Sequence, residues 1–184
     1  LVDGEPMEQL DQISYFIITA TAGHDTTSAT ISGGMKALLE HPDQLAKLRK
    51  HPELAKQAAR EMIRWVSPVR HMMRTTTEDI VLRGKTIKAG DSLCLWYPSA
   101  NRDSDAIEDP DTFDIERDNQ NQLAFGFGGH MCLGQHLAIL EVELFFKELL
   151  PRLSHIEFAA DPEWVQAIFV GGLKSMPVHY AFNS

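Results

Sequence analysis

Cysteine is scarce in this sequence, which has Cys94 and Cys132 and no others among its 184 residues. The two are far apart and form no Cys-x-x-Cys pair, so neither a disulfide framework nor a structural zinc site is expected. Such usage fits a reducing compartment, and we expect a cytoplasmic protein. The chain also lacks internal repeats and low-complexity segments, and no signal peptide is visible at its start.

Positive charge is scarce as well, since 17 Lys and Arg face 26 Asp and Glu and the net charge is −9. This balance argues against nucleic acid or an anionic membrane as the main partner. Eight carboxylates fall between Asp103 and Asp118, and we interpret them as a solvated acidic loop in preference to a docking patch. The apolar stretch from Ile13 to Ile31 carries His24, Asp25 and several threonines, which favours a buried helix over a membrane span.

The periodicity of the apolar residues predicts a mainly helical protein with small sheets. Helices are predicted over Pro6–Glu40, Asp43–Lys50, Glu53–Val66 and Leu133–Leu150, each ended by a proline or by the residue before one. Short strands are predicted over Thr75–Leu82, Thr86–Lys88, Leu93–Tyr97, Ile156–Ala159, Ile168–Val170 and Val178–Phe182. The polar stretch Ser99–Gln122 is predicted to be a long connection that packs against something functional.

Cys132 lies in the segment Phe125-Gly-Phe-Gly-Gly-His-Met-Cys-Leu-Gly134, with an apolar helix predicted directly after it. Glycines let the backbone approach a large flat ligand, and a helix N-terminus favours thiolate over thiol. A lone, open thiolate suits a single axial bond to haem iron, where it favours cleavage of the O–O bond. The alternative is that Cys132 is a small buried hydrophobic residue.

The spacing of Phe125, Gly128, Cys132 and Gly134 resembles the haem-binding signature of the cytochrome P-450 family. The resemblance implies haem b as the cofactor, Cys132 as its iron ligand, and the mainly α fold of that family. It covers residues 1–184, which would be the C-terminal half of one domain whose N-terminal half is absent. Three segments make the chain most similar to soluble bacterial members of the α-terpineol hydroxylase group: Ala22–Ser28, Arg64–Val69 and Gly171–Pro177.

The run Ala22-Gly-His-Asp-Thr-Thr27 is a poor helix former in the middle of a predicted helix. Read alone, it could still be part of a plain buried helix. Beside Cys132, it resembles the oxygen-activation segment of the family. The resemblance implies that Thr26 hydrogen-bonds the bound dioxygen or an ordered water, that Asp25 relays protons, and that Ala22 and Gly23 leave a groove for oxygen.

Five further polar residues match positions of the family. Glu61 and Arg64 resemble its Glu-x-x-Arg pair, a structural element, and Arg117 stands at the place of the pair's third member. Alone, such a pair is usually exposed and contributes little. Arg74 and His130 match residues that bind the haem propionates, and the alternative for each is a surface residue or a satisfied core residue.

The resemblance also implies an apolar cavity for a small apolar substrate. Its expected lining is Ile18, Thr21 and Ala22 on the long helix, Val69, Met72 and Met73 before the first strand, and Phe169 and Val170 near the end. Each of these could instead be plain core. Arg70 and His71 are unusual beside such a cavity, and we interpret them as pointing outward or toward a propionate.

The function implied is that of a monooxygenase that activates O₂ and hydroxylates a terpenoid or hydrocarbon-like substrate, with electrons from NAD(P)H through a ferredoxin. A peroxide-driven peroxygenase is one alternative, although it would not need the relay through Asp25 and Thr26. A non-catalytic haem-binding or sensor protein is the other.

Overall fold

The computed structural model describes residues 4–118 and 121–183. Its α-helices are α1 (Gln9–Glu40), α2 (Pro42–Lys50), α3 (Ala55–Val66), α4 (Tyr97–Ala100) and α5 (Gln135–Leu149). Short 3₁₀ turns occupy Pro52–Leu54, Gly128–His130 and Leu150–Arg152. The strands are β1 (His71–Thr75), β2 (Ile80–Leu82), β3 (Lys85–Ile87), β4 (Ser92–Trp96), β5 (Leu153–Phe158), β6 (Glu163–Trp164), β7 (Leu173–Ser175) and β8 (Val178–Phe182).

The core forms where the second half of α1 meets α3 and α5. Two glycines of α1 permit this approach, because a Cβ on Gly33 would lie 2.7 Å from Val66 Cγ2 and one on Gly34 would lie 2.7 Å from Met62 Sδ. The buried apolar residues of this core include Met35, Leu38, Ala58, Met62, Phe113, Ile115, Val142 and Phe146. Phe113 and Ile115 come from the polar connection, which is thereby held against the helices.

The first half of α1 differs from the sequence prediction, which placed Ile13 to Ile31 in a core. The buried residues of α1 begin at Ala29, whereas Leu10 is 72% and Phe16 is 69% exposed. The reason is geometric, since α3 and α5 pack only against the second half of this long helix. The exposed apolar residues are too many to be the scattered ones of an ordinary surface.

The strands pair as four small antiparallel sheets within the described residues: β1 with β4, β2 with β3, β5 with β8, and β6 with β7. The predicted strand Thr75–Leu82 is wrong, because its two ends belong to different sheets. The chain turns away at Asp79, whose carboxylate accepts hydrogen bonds from Ala89 N at 2.9 Å and from Lys88 Nζ at 2.6 Å.

The predicted strand Ile168–Val170 is also wrong, since the pairing there is a single bridge between Val170 and Val69. Strands β6 and β7 were not predicted, because two or three residues are too few to show a period of two. The mainly helical fold class is confirmed. No helix in residues 4–118 or 121–183 combines the length and hydropathy needed to cross a membrane.

Candidate functional site

The segment around Cys132 is a loop closed by its own backbone. Cys132 N donates to Phe125 O at 2.9 Å, and Gly126 and Gly128 take the positive φ values of 71° and 75° that the tight path requires. The prediction that the helix starts directly after Cys132 is wrong, because α5 begins at Gln135 with Gly134 before it. Because the Cys132 amide N–H donates to Phe125 O, it is not a free donor at the helix end that could interact with the thiol.

The Cys132 thiol is free and exposed, and apolar side chains on either side of it in the sequence are exposed as well. Phe127 is 82% and Leu133 is 87% exposed. No atom lies within 4 Å of the place where a Cβ would stand on Gly128, Gly129 or Gly134, so the loop presents an open backbone surface. Among the described residues no three His, Cys, Asp or Glu side chains gather at a possible metal position.

Two cationic or hydrogen-bonding side chains predicted to bind propionates have donors available. Arg74 is half-buried, and its Nη1 donates a local hydrogen bond to Met73 O at 2.8 Å. His130 is exposed in the 3₁₀ turn two residues before Cys132. An open thiol, an apolar glycine-rich surface and donors for carboxylates are what haem requires, and these residues fit it.

The predicted oxygen-activation segment lies on α1, which runs through it without a break. Thr26 Oγ1 donates to Ala22 O at 2.7 Å, which is the usual bond of a threonine to the preceding turn. The Asp25 carboxylate lies 2.8 Å from His24 Nδ1, and both side chains are exposed. A Cβ on Gly23 would meet nothing within 4 Å, so this side of the helix is open.

Glu61 and Arg64 form a fully buried bidentate pair, with both nitrogen–oxygen contacts at 2.7 Å. Glu61 Oε1 also accepts from Asp114 N at 3.0 Å and lies 3.4 Å from Arg117 Nε. The structure therefore brings together the three residues that the sequence analysis grouped. Glu61 and Arg64 lie in the core, whereas such a pair on a helix is usually exposed.

Backbone carbonyls of the long connection complete the environment of this cluster. Arg64 Nη1 donates to Asn101 O and Pro110 O, both at 2.8 Å. Arg117 Nη2 donates to Asp109 O and Thr112 O, both at 2.9 Å. Because each arginine binds several carbonyls, the two guanidinium groups hold the connection in one path.

Asn101 is a structural residue that the sequence analysis missed. It is fully buried, its Nδ2 donates to Ser67 Oγ at 2.8 Å, and its Oδ1 accepts from Leu123 N at 2.7 Å. It thus links the end of α3 to the entrance of the cysteine loop. The adjacent Arg102 stacks on the Trp65 ring at 4.3 Å, and burial lowers the pKa of its guanidinium from the ordinary value. No signal in the sequence distinguishes the buried Asn101 from an asparagine that is solvated.

The predicted substrate contacts divide between two faces. In the β1–β4 register, Met72 and Arg74 share a face with Leu95 and Leu93. His71 and Met73 lie on the opposite face with Trp96 and Cys94. Val69 pairs with Val170, and the adjoining bonds are Arg70 N to Phe169 O at 2.9 Å and Gly171 N to Pro68 O at 2.8 Å.

The structure therefore brings Val69, Phe169 and Val170 together, while Met72 belongs to the other face of the sheet. Ile18 and Thr21 are exposed on the first half of α1. The roles of all these residues toward a substrate stay predictions.

Comparison with known proteins identifies the family to which this chain is similar. The model of the family described as "Cytochrome P450" matches residues 8–164. Cytochrome P450-terp of Pseudomonas sp is 45% identical over 179 residues, which are 97% of this chain and 42% of that protein. Linalool 8-monooxygenase of Pseudomonas putida is 37% identical over 177 residues, 96% of this chain and 44% of that protein.

A solved protein structure is also similar to this chain. The crystal structure of CYP108D1 from Novosphingobium aromaticivorans has a TM-score of 0.93 and 45% identity, and the match covers 100% of this chain and 44% of that one. The chain thus spans less than half the length of these relatives. With the family model matched over most of its residues, the chain belongs to the cytochrome P450 family.

Proposed function

We propose that residues 1–184 form the C-terminal, haem-binding portion of a bacterial haem-thiolate monooxygenase that hydroxylates a small apolar substrate. The observation that carries the proposal is the free, exposed Cys132 thiol in a loop whose glycines leave an open apolar surface. The lengths of the relatives support the position in a longer chain, since each is more than twice as long as this one.

The cofactor we propose is haem b, which when bound supplies the redox centre that activates O₂ and oxygenates a C–H bond. Cys132 would be its axial ligand, with the sulfur held in place by the bond from its own amide to Phe125 O. Arg74 and His130 would bind the two carboxylates, since both retain donors that no described residue uses. Phe125, Gly128 and Gly134 would shape the surface against the ring.

Proton delivery is the role we propose for Asp25 and Thr26. The Asp25 carboxylate is exposed and can exchange protons with solvent, and the His24 ring at 2.8 Å holds it in position. Thr26 Oγ1 is anchored to Ala22 O, so its lone pairs can accept a hydrogen bond from a water and hold that water in position for proton transfer. This pair of residues favours a monooxygenase over a peroxide-driven enzyme.

The substrate we propose is apolar, because Ile18, Val69, Met72, Phe169 and Val170 offer hydrocarbon surface and Thr21 binds its own helix backbone at Ile17 O. Relatives named for terpenoid, lipid and steroid oxidation support this class. We further propose a ferredoxin as the electron donor, fed from NAD(P)H in the cytoplasm.

The first test is the difference spectrum between the reduced protein with and without carbon monoxide. We expect a strongly red-shifted Soret band that is lost in Cys132→Ala and kept in Cys94→Ala, because Cys94 lies in β4. Turnover of linalool with NAD(P)H, ferredoxin and ferredoxin reductase is then compared with turnover on peroxide alone. A protein without the band, or one in which Cys132→Ala keeps it, would contradict the proposal.

A further inference from the structure

Asn101 is fully buried, and each of its polar atoms makes a hydrogen bond. Its backbone N–H donates to Tyr97 O and its carbonyl accepts from Arg64 Nη1, both at 2.8 Å. Its side-chain Nδ2 donates to Ser67 Oγ at 2.8 Å, and its Oδ1 accepts from Leu123 N at 2.7 Å. A backbone N–H can only donate, so the contact with Leu123 identifies which atom of the amide is the oxygen.

The bond from Leu123 N to Asn101 connects the core to the cysteine loop. Leu123 is the first residue of a turn that is closed by a hydrogen bond from Gly126 N to Leu123 O at 2.8 Å. Within this turn, Phe125 O accepts the hydrogen bond from Cys132 N at 2.9 Å. The side chain of Asn101 is therefore joined to the backbone of Cys132 through a single short turn.

Apolar contacts support the same turn. Ala124 is buried in a small cluster with Ile63 of α3 and Ile139 of α5. A Cβ on Gly126 would lie 3.1 Å from the hydroxyl oxygen of Tyr97, the first residue of α4, so the turn passes close to that side chain. Apolar packing is non-directional, whereas a hydrogen bond has a preferred direction. The orientation of the turn is therefore expected to depend on the hydrogen bond to Asn101 more than on these contacts.

We propose that Asn101 is a positioning residue for the cysteine loop, because its Oδ1 holds the turn whose Phe125 carbonyl binds the Cys132 amide. The proposal rests on the proposed haem-thiolate function, in which the sulfur must stand at one place to bind iron. It names a side chain outside the loop that keeps the sulfur there. Asparagine suits the position, since its amide offers an acceptor to Leu123 N and a donor to Ser67 Oγ.

The test removes the acceptor for Leu123 N in two ways. Asn101→Leu fills a similar volume without an acceptor, and Asn101→Ser keeps a hydroxyl near Ser67 that is too short to reach Leu123 N. The control is Ser67→Ala, which removes the other partner of the Asn101 side chain and leaves the Leu123 bond in place. Hydrogen exchange of single amides and the reduced carbon monoxide spectrum are measured on the intact protein as purified.

In the wild type, the Leu123 amide should exchange at least about tenfold more slowly than in an unstructured peptide, because its N–H is bound to a buried oxygen. Both Asn101 variants should speed exchange of the Cys132 amide about five- to tenfold, the size expected of one lost hydrogen bond. This rate is taken relative to the amide of the buried Leu38 in α1, which reports opening of the whole core. Ser67→Ala should keep the relative rate within about twofold. The share of haem without the red-shifted carbon monoxide band should rise in the Asn101 variants alone.

Three results would overturn the proposal: an unprotected Leu123 amide in the wild type, wild-type exchange at Cys132 in an Asn101 variant that folds, or equally fast exchange there in Ser67→Ala. The first needs no variant, and the last would make Asn101 one core residue among others. A wild type without the red-shifted band would instead refute the proposed function. Hydrogen exchange needs no haem, so it would still decide the role of Asn101.

Discussion

At the scale of single residues, the site depends on side chains whose backbone or ring is already fixed. Cys132 closes its loop through its amide, Thr26 anchors its hydroxyl on Ala22 O, and His71 is held between two rings. In the first two cases one group remains open for a ligand, namely a sulfur and an oxygen lone pair. Groups that are positioned before binding lose little entropy when they bind.

Thr26→Ala tests the proton relay at this scale. Haem and substrate affinity should stay within about twofold. Product formation should fall by about two orders of magnitude, which is the lower end of the range of rate effects for side chains that act in a proton transfer. NAD(P)H consumption should continue, with hydrogen peroxide as the product. The measurement is the ratio of hydroxylated product to NAD(P)H consumed, with peroxide assayed in parallel.

Thr19→Ala is the matched control, because Thr19 Oγ1 makes the same bond to the preceding turn, at 2.8 Å from Tyr15 O. It should leave the ratio of product to NAD(P)H unchanged. Full coupling in Thr26→Ala would show that its hydroxyl has no part in proton delivery.

At the scale of elements, α3 is the part to which the long connection is tied. Glu61 and Arg64 on α3 are fully buried, and together with Arg117 they bind carbonyls and an amide between Asn101 and Asp114. The buried charges of Glu61 and Arg64 match each other and most of their hydrogen-bonding capacity is used, which is the condition under which a buried ion pair is tolerated. Asn101, whose carbonyl accepts from Arg64, also accepts from Leu123 N at the entrance of the cysteine loop.

Glu61→Gln tests that role. The substitution keeps the volume but leaves Arg64 buried without its counter-charge, and we expect the free energy of unfolding to fall by about 3–5 kcal/mol. The measurement is the denaturant midpoint of the intact protein, followed by tryptophan fluorescence.

The control for Glu61→Gln is Glu148→Gln, which removes the exposed pair of Glu148 with Arg152 at 3.0 Å. An exposed pair contributes at most about 1 kcal/mol, so the midpoint should barely move. Equal midpoints for the two variants would show that the buried pair is dispensable.

At the scale of the whole molecule, the chain combines a core between α1, α3 and α5 with many large apolar side chains that are exposed, which we call its apolar surface. The exposed apolar residues of that surface come from the first half of α1, the cysteine loop and α5, and include Leu10, Phe16, Ile18, Phe127, Leu133 and Leu137. A soluble monomer rarely exposes so many large apolar side chains. In the proposed enzyme this surface is covered by haem, substrate and the remainder of the protein.

The isolated 184-residue chain should therefore bind a hydrophobic dye and associate with itself. Phe16→Lys should weaken that association about tenfold, because a large apolar side chain contributes about 1.5–3 kcal/mol when buried. The measurement is sedimentation equilibrium together with dye fluorescence.

Val81→Lys is the control, since Val81 is 72% exposed on the small β2–β3 hairpin, and this change should have no effect on association. A chain that sediments as a monomer and binds no dye would contradict the interpretation of the apolar surface.

The sequence by itself determined what depends on neighbours along the chain. The ends of α1, α2 and α3 follow from His41-Pro42, His51-Pro52 and Ser67-Pro68, and the family was evident from the glycines around Cys132. The family and the mainly helical fold class are confirmed, while the roles of the individual site residues stay predictions. Local signals suffice for these features, because caps, turns and motifs act over a few residues.

Only the tertiary structure decided which residues are buried and which polar atoms find partners. Asn101 and Glu61 are fully buried through contacts with residues far away in the chain, and His71 Nδ1 is isolated by Trp96 and Phe169, which lie on other segments. Thr75–Leu82 has the sequence pattern of one strand but divides between two sheets, since each end pairs with a different strand. Burial and pairing depend on residues that the fold brings together, and the periodicity of one segment does not show which residues these are.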